Sequence, residues 1–520
     1  MSLIDRVKSF FNRGRYNMET SHLSTILDHP KVAITSDEYA RIEDNLKYYK
    51  SEFDDIAYLN SNGDQQKRKF NHLPIGRTSA KKIASLVYNE QAEITCVDEN
   101  ADEFINNMLK NDRFNKNFER YLESGLALGG LALRPYVDGD KIRVAFIQAP
   151  VFLPLQSNTQ DISSAAILTQ TTRSEGKKNI YYTLVEFHEW VTINDETVGS
   201  TLDKNVYRIT NELYKSNVKG QLGNRVQLSE LYPDLEPEIK VNDLSRPLFT
   251  YFKNPGMNNK DINSPLGLSI FDNAKTTIDF INRTYDEFMW EVRMGQRRVI
   301  VPEQLTQMQY DSADGVIKQR RRFDVEQNIY TQMGGLDSNG IVDLTTPIRS
   351  QDYIAAISEG LKLFEMQIGV SSGMFTFDGQ SVKTATEIVS ENSDTYQMRN
   401  SIVSLVEQTI KELCVSICEL GASYELYNGD IPDLDDISVN LDDGVFTDRH
   451  AELDYWMKMV AAGFATPKKA IAKVQNISDE EAEKELAEIN GYLPPENDAE
   501  LALYSRKQNN SNRKDLNNEV

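Results

Sequence analysis

Cysteine is scarce in this chain. Cys96, Cys414 and Cys418 are too few and too scattered for a disulfide framework. Cys414 and Cys418 fall four apart on a predicted helix, but no histidine stands near them, so the spacing reads as buried small thiols rather than metal ligands. The five histidines, His22, His29, His72, His188 and His450, are dispersed and form no His-Glu-x-x-His site. A phosphate loop of the Gly-x-x-x-x-Gly-Lys-Ser/Thr type is missing, which excludes an ATP-driven motor of that class. Gly125, Gly129 and Gly130 do not make a dinucleotide fingerprint, and no Gly-x-Ser-x-Gly elbow occurs. No run approaches the roughly 18 continuous apolar residues of a membrane span. The acidic cluster Asp433, Asp435, Asp436, Asp442 and Asp443 lacks the spacing of a calcium loop and reads as a solvated loop. No catalytic constellation, cofactor or metal is therefore expected.

What is present is a large apolar core and an excess of acid. Hydrophobic residues make up 40% of the 520, enough for several compact units. The formal net charge of -22 disfavours tight wrapping of nucleic acid, which depends on Lys and Arg displacing counterions from phosphate. It is compatible with nucleic acid that must pass without sticking. The first fifteen residues place Ile4, Val7 and Phe10 or Phe11 on one face without an uninterrupted apolar core or a small-residue cleavage site, which predicts a weakly basic amphipathic arm rather than a secretory signal.

The pattern predicts an α+β body. Helices are expected over 36–50, 71–87 and, as one or two pieces, 101–128, with a short strand at 94–96. Alternating strands follow at 131–136, 141–148, 165–171, 181–190 and 206–213, then a polar loop over 220–241 and a strand at 247–252. Residues 254–269 read as a turn-rich hinge. Beyond it Phe271, Ala274, Ile278, Ile281, Tyr285, Phe288 and Val292 alternate three- and four-residue steps on a helix over 267–294. Such a narrow seam must pack against other helices. A second stripe, Ile354, Ile357, Leu361, Phe364 and Ile368, follows an Arg-rich excursion with strands at 297–301, 323–331 and 341–344 and a helix at 302–310. Then come a loop of small and polar residues, a long helix over 384–420, two short strands around Asn428-Gly429, and helices over 448–462, 467–475 and 478–490. From about Pro494 the chain is polar and reads as a disordered tail.

At NSPLGLSIFDNAKTTIDFINRTYDEF (Asn263 to Phe288) and GVSSGMFTFDGQSVKTATEI (Gly369 to Ile388) the chain resembles the portal proteins of tailed bacteriophages, nearest to the long-tailed phages of Gram-positive hosts. Element order carries the resemblance over about residues 36–490. It implies a ring, usually of twelve subunits, at one capsid vertex, gating double-stranded DNA during packaging and ejection. It implies an α+β portal fold: an N-terminal arm and α/β wing (1–262), a stem of long antiparallel helices (263–295 and 351–370), a β-rich clip (296–350), a tunnel loop (371–385), a long wing helix with strands (386–441), a helical crown (442–495) and the tail (496–520). The implied partners are further copies of the chain, terminase large subunit, a head-completion adaptor, and major capsid and scaffolding proteins, with no membrane. The implied locations are host cytoplasm during assembly and then the virion.

Site residues follow from these assignments. Ser371, Ser372, Thr376, Gln380, Ser381 and Lys383 would make soft backbone contacts with DNA and read no sequence. The clip cations Arg297, Arg298, Lys318, Arg320, Arg321 and Arg322 would gather at one end of a ring as a docking surface. Stem packing falls to Phe271, Ile278, Ile281, Tyr285, Phe288, Ile354, Ile357 and Leu361. On this reading two striped helices cannot bury their seams alone, and neighbouring copies cover them. The rival reading is a soluble oligomeric enzyme, a nuclease or transferase, whose helices form a dimeric bundle.

Overall fold

The computed structural model describes residues 26, 29, 31–32, 36–59, 63–88, 92–158, 161–176, 178–194, 203–242, 244–295, 299–301, 331–332, 342–343, 347–375, 393–441, 449–475 and 479–492. The chain divides into two compact units, Met1–Asp443 and Gly444–Val520.

The first unit opens with helix α1 (Ser36–Lys50), whose Tyr39, Ile42 and Leu46 turn to the core. A small hairpin follows, β1 (Ile56–Leu59) with β2 (Gln65–Arg68), in register Ile56 to Arg68. The sequence pattern missed it because Gln65–Arg68 is polar throughout and almost wholly exposed. Helix α2 (Ile75–Val87) starts behind Pro74, later than expected, because proline suits the entry to a helix and not its interior. The stretch expected as one or two helices is two, α3 (Glu99–Asn111) and α4 (Phe114–Leu128). They part at Arg113, where φ is +52°.

Three sheets carry the body. Strand β3 (Glu93–Cys96) pairs with β16 (Ile437–Asn440), which brings the last described strand of the unit back to its first hundred residues. A three-stranded sheet has the order β12-β4-β5, from β12 (Thr250–Lys253), β4 (Gly130–Asp138) and β5 (Lys141–Gln148). The largest sheet is antiparallel in the order β10-β9-β8-β7-β6, with β11 also on β9. Its strands are β6 (Phe152–Ser157), β7 (Ile162–Glu175), β8 (Lys178–Asn194), β9 (Asp203–Ser216), β10 (Asn224–Val226) and β11 (Glu238–Val241). The polar loop expected over 220–241 therefore supplies two edge strands. Their sequences, Asn-Arg-Val and Glu-Ile-Lys-Val, are too short to show a period.

Both faces are covered over 164–170 of β7 and 182–188 of β8, so the buried polar groups there need partners. Arg134 pairs with Glu186, and His188 Nδ1 meets the Tyr207 hydroxyl at 3.0 Å. Burial, helped by nearby Arg134, holds His188 well below the usual histidine range and hence neutral. One sheet face receives the start of the described chain: Lys31 Nζ donates to Glu189 at 2.7 Å, and the His29 ring lies 4.9 Å from Phe187.

Helix α7 (Ser393–Ser423) runs through the core, fully buried from Leu413 to Gly421. Cys414 and Cys418 are buried there as expected, and burial pushes the Cys418 thiol up to about 12. The hairpin expected around Asn428-Gly429 is absent from the described residues, where Leu434–Asp436 is a single 3-10 turn before β16.

Between the striped helices, β13 (Val299–Val301) pairs parallel with β14 (Thr331–Gln332) and antiparallel with β15 (Val342–Asp343). The helix expected over 302–310 lies outside the described residues. The second unit comprises α8 (Arg449–Ala461), α9 (Pro467–Gln475) and α10 (Asp479–Tyr492), with Lys468 on Glu483 at 2.6 Å and Ala472 and Ala482 buried.

Candidate functional site

The striped helices are α5 (Lys275–Met294) and α6 (Ser350–Ile368). The stripe begins before the α-helix, because Asp272–Ala274 forms a 3-10 turn ahead of α5. Four contacts fix an antiparallel register. The Thr277 hydroxyl donates to Gln367 Oε1 at 2.7 Å, and the Phe288 and Tyr353 rings lie 5.3 Å apart. Arg349 meets Glu291 at 2.6 Å. Midway, Gly360 sits so close to α5 that an added Cβ would stand 2.7 Å from Ile281 and 3.2 Å from Phe280. Only glycine permits that approach.

The root of α5 is set by charge. Glu38 on α1, 3% exposed, accepts from Arg41, from Asn258 Nδ2 at 3.1 Å and from the Ser264 hydroxyl at 2.7 Å. Arg41 also donates to Asp272 at 2.7 Å, and Asp272 further accepts from Asn45 at 3.0 Å and pairs with Lys275 at 3.1 Å. Burial pushes the Asp272 carboxyl up, but Asn45, Lys275 and Arg41 together hold it below the ordinary aspartate value. Higher on the same helix Asp286, 2% exposed, receives both Arg68 nitrogens at 2.7 and 2.6 Å and the Asn71 amides at 3.0 Å. These charges sit among the stripe residues, so the hairpin missed in the sequence serves to clamp the helix.

The expected hinge is a fixed joint. Asn254 Nδ2 donates to Leu126 O at 3.0 Å and Leu268 O at 2.8 Å. Gly129, at φ +100°, and Gly267 approach so closely that a Cβ on either would lie within 2.4 Å of the other's carbonyl oxygen.

The stripes correct one expectation. Phe271, Ile278, Ile281, Leu361 and Phe364 are buried within their own chain, so no neighbour is needed to cover this half. The half away from the root differs. Tyr285, Phe288 and Ile357 are partly exposed, Val292 is 41% and Ile354 50% exposed. Period alone does not say which half of a seam the chain itself covers.

After α6 the chain enters the small-residue loop. Glu365, wholly buried, accepts from the backbone amides of Gly373 and Phe375. The Ser371 amide donates to Thr395 Oγ1 at 2.9 Å, and the Thr395 amide donates back to Ser371 Oγ at 3.2 Å. Lys82 reaches the Met374 carbonyl. Ser371, expected at a DNA-facing surface, is thus 3% exposed and acts as an anchor. Ser372 is exposed. Thr376, Gln380, Ser381 and Lys383 lie outside the described residues, as do Arg297, Arg298, Lys318, Arg320, Arg321 and Arg322. Sequence reasoning missed Glu38, Asp272, Asp286, Glu365 and Thr395. The available signal was a carboxylate inside an apolar stripe, at Asp272, Asp286 and Glu365.

Among the described residues no group of three or more His, Cys, Asp or Glu side chains is arranged to hold a metal, and no helix is long and apolar enough to cross a membrane. No curated protein matches the chain significantly. Over residues 28–493 it matches the family described as phage portal protein, SPP1 Gp6-like. By that match, which spans most of its length, the chain belongs to the phage portal proteins, structural components of the capsid that serve genome packaging.

Proposed function

We propose that copies of this chain close into a ring, twelve in number, at one capsid vertex, and that the ring is the conduit for double-stranded DNA during packaging and ejection. The observation that carries this reading is the paired stem: a root locked to the body by buried charge, and a far half whose apolar face its own chain leaves open. A heterologous ring covers such a face, since each copy offers one side and receives the other. The net charge of -22 supports a conduit, because every phosphate a wall neutralises adds a salt-sensitive hold.

The small-residue loop faces the DNA through Ser372, Thr376, Gln380, Ser381 and Lys383. The basic run Lys318 to Arg322, with Arg297 and Arg298, forms the platform for terminase large subunit or a head-completion adaptor. Capsid and scaffolding proteins meet the outer body, and the role is non-enzymatic. Negative-stain imaging and native mass spectrometry test the ring: centrally holed assemblies are expected, and a monomer or dimer under all conditions overturns it. Lys383→Glu tests the loop, leaving rings intact while lowering packaged DNA; an unchanged DNA yield removes the assigned role.

A further inference from the structure

The exposed apolar side chains of the stem fall into two patches, and their positions say how two copies fit. On α5 the contacts at Thr277, Ile281, Phe288 and Glu291 mark the line that faces α6. At 100° per residue, Met289 and Val292 project to one side of that line and Phe280 to the other. On α6 the facing line runs through Tyr353, Gly360 and Gln367, which puts Ile354 on the side of Met289 and Val292, and Leu363 and Met366 on the side of Phe280. The first patch, Met289, Val292 and Ile354, is 37%, 41% and 50% exposed. The second, Phe280, Leu363 and Met366, is 47%, 42% and 68% exposed.

The patches also differ in height. Gly360 lies opposite Ile281 and Tyr353 opposite Phe288, so Leu363 is level with Ile278, about eleven residues or ~17 Å nearer the root than Met289. Level with the first patch, the opposite side carries exposed Glu287 and Asp352. Copies docked level would press these carboxylates against the apolar Met289, Val292 and Ile354, at a desolvation cost. Copies docked with a stagger cover apolar with apolar.

We propose that the stem is a heterologous interface between copies of this chain, in which Met289, Val292 and Ile354 of one copy seat on Phe280, Leu363 and Met366 of the next, offset along the helices. This inference rests on the ring reading and adds its contact pairs.

Disulfide trapping in the full-length chain tests it, in a Cys96→Ser background that leaves only the buried Cys414 and Cys418. Met289→Cys with Leu363→Cys cannot bridge within one copy, because the two lie on opposite sides and at different heights, whereas a disulfide needs Cα atoms within roughly 7 Å. On mild oxidation this pair is expected to give a ladder of covalent oligomers, at least about tenfold more than the level pair Met289→Cys with Asp352→Cys. A ladder from the level pair, or dimers from Met289→Cys alone, overturns the staggered contact. Rings visible by electron microscopy with no ladder overturn it while leaving the ring reading intact. The absence of rings from the unsubstituted chain overturns both.

Discussion

The two halves of the stem are built on one repeating pattern and are stabilised by opposite means. Near the root, Phe271, Ile278 and Ile281 are submerged in the chain's own core, and the polar residues between them, Asp272 and Lys275, are bound to α1. Far from the root the same three-and-four spacing puts Val292 and Ile354 in water, and beyond the Asp286 clamp the pair Glu291 with Arg349 involves a guanidinium 67% exposed. Water screens such a pair strongly, so it aligns the helices more than it stabilises them. Spacing sets which residues share a face, while the surroundings decide whether that face belongs to the fold or to an assembly.

Ile281→Asp gives the largest expected effect. It buries a carboxylate at a site with no exposure and beside a glycine crossing, so it should cost roughly 3–5 kcal/mol and reduce the yield of folded protein. A cooperative melting transition at the unsubstituted temperature would show that the root half is not core. Gly360→Leu comes next. The helices must separate to admit the side chain, at a cost of about 1–3 kcal/mol, measured by denaturant unfolding. An unchanged midpoint would contradict the close crossing.

The charged root gives a pH signature. Because the folded carboxyl of Asp272 sits below its ordinary value of 3.8, its contribution is present above that value and is lost as pH falls towards the folded one. Asp286, lowered by Arg68 and Asn71 against the push of burial, acts in the same sense. Asp272→Asn should therefore be less stable at neutral pH and lose less on acidification below about pH 4 than the parent does. Parallel stability curves for the two proteins would sink the assignment. Val292→Asp should move the fold least, by within about 0.5 kcal/mol, since the side chain is already exposed, yet it should deplete rings. Rings at full yield would mean the far half is not a contact surface.

Much of this architecture is legible in the residues. The stripes and the long strands follow from spacing, and the motifs around Leu266-Gly267 and Lys383-Thr384 point to the family. The site was legible only in outline. Glu38, Glu365 and Thr395 look like ordinary surface polars, and only tertiary contacts over 226, 10 and 24 positions for Ser264–Glu38, Phe375–Glu365 and Ser371–Thr395 show how this region is joined. Ser371 shows the limit most plainly: a small polar residue in a loop suits a channel wall as well as it suits a buried anchor.

That anchor has a consequence for variation. Ser371 and Thr395 hold each other by reciprocal amide-to-hydroxyl bonds, so the chain on the two sides of residues 376–392 is fixed at one point. Between two points fixed in this way, doubling the length of a flexible connection costs only about 0.6 kcal/mol of closure entropy. Insertions between Ser371 and Thr395 are therefore expected to leave the helices on either side undisturbed.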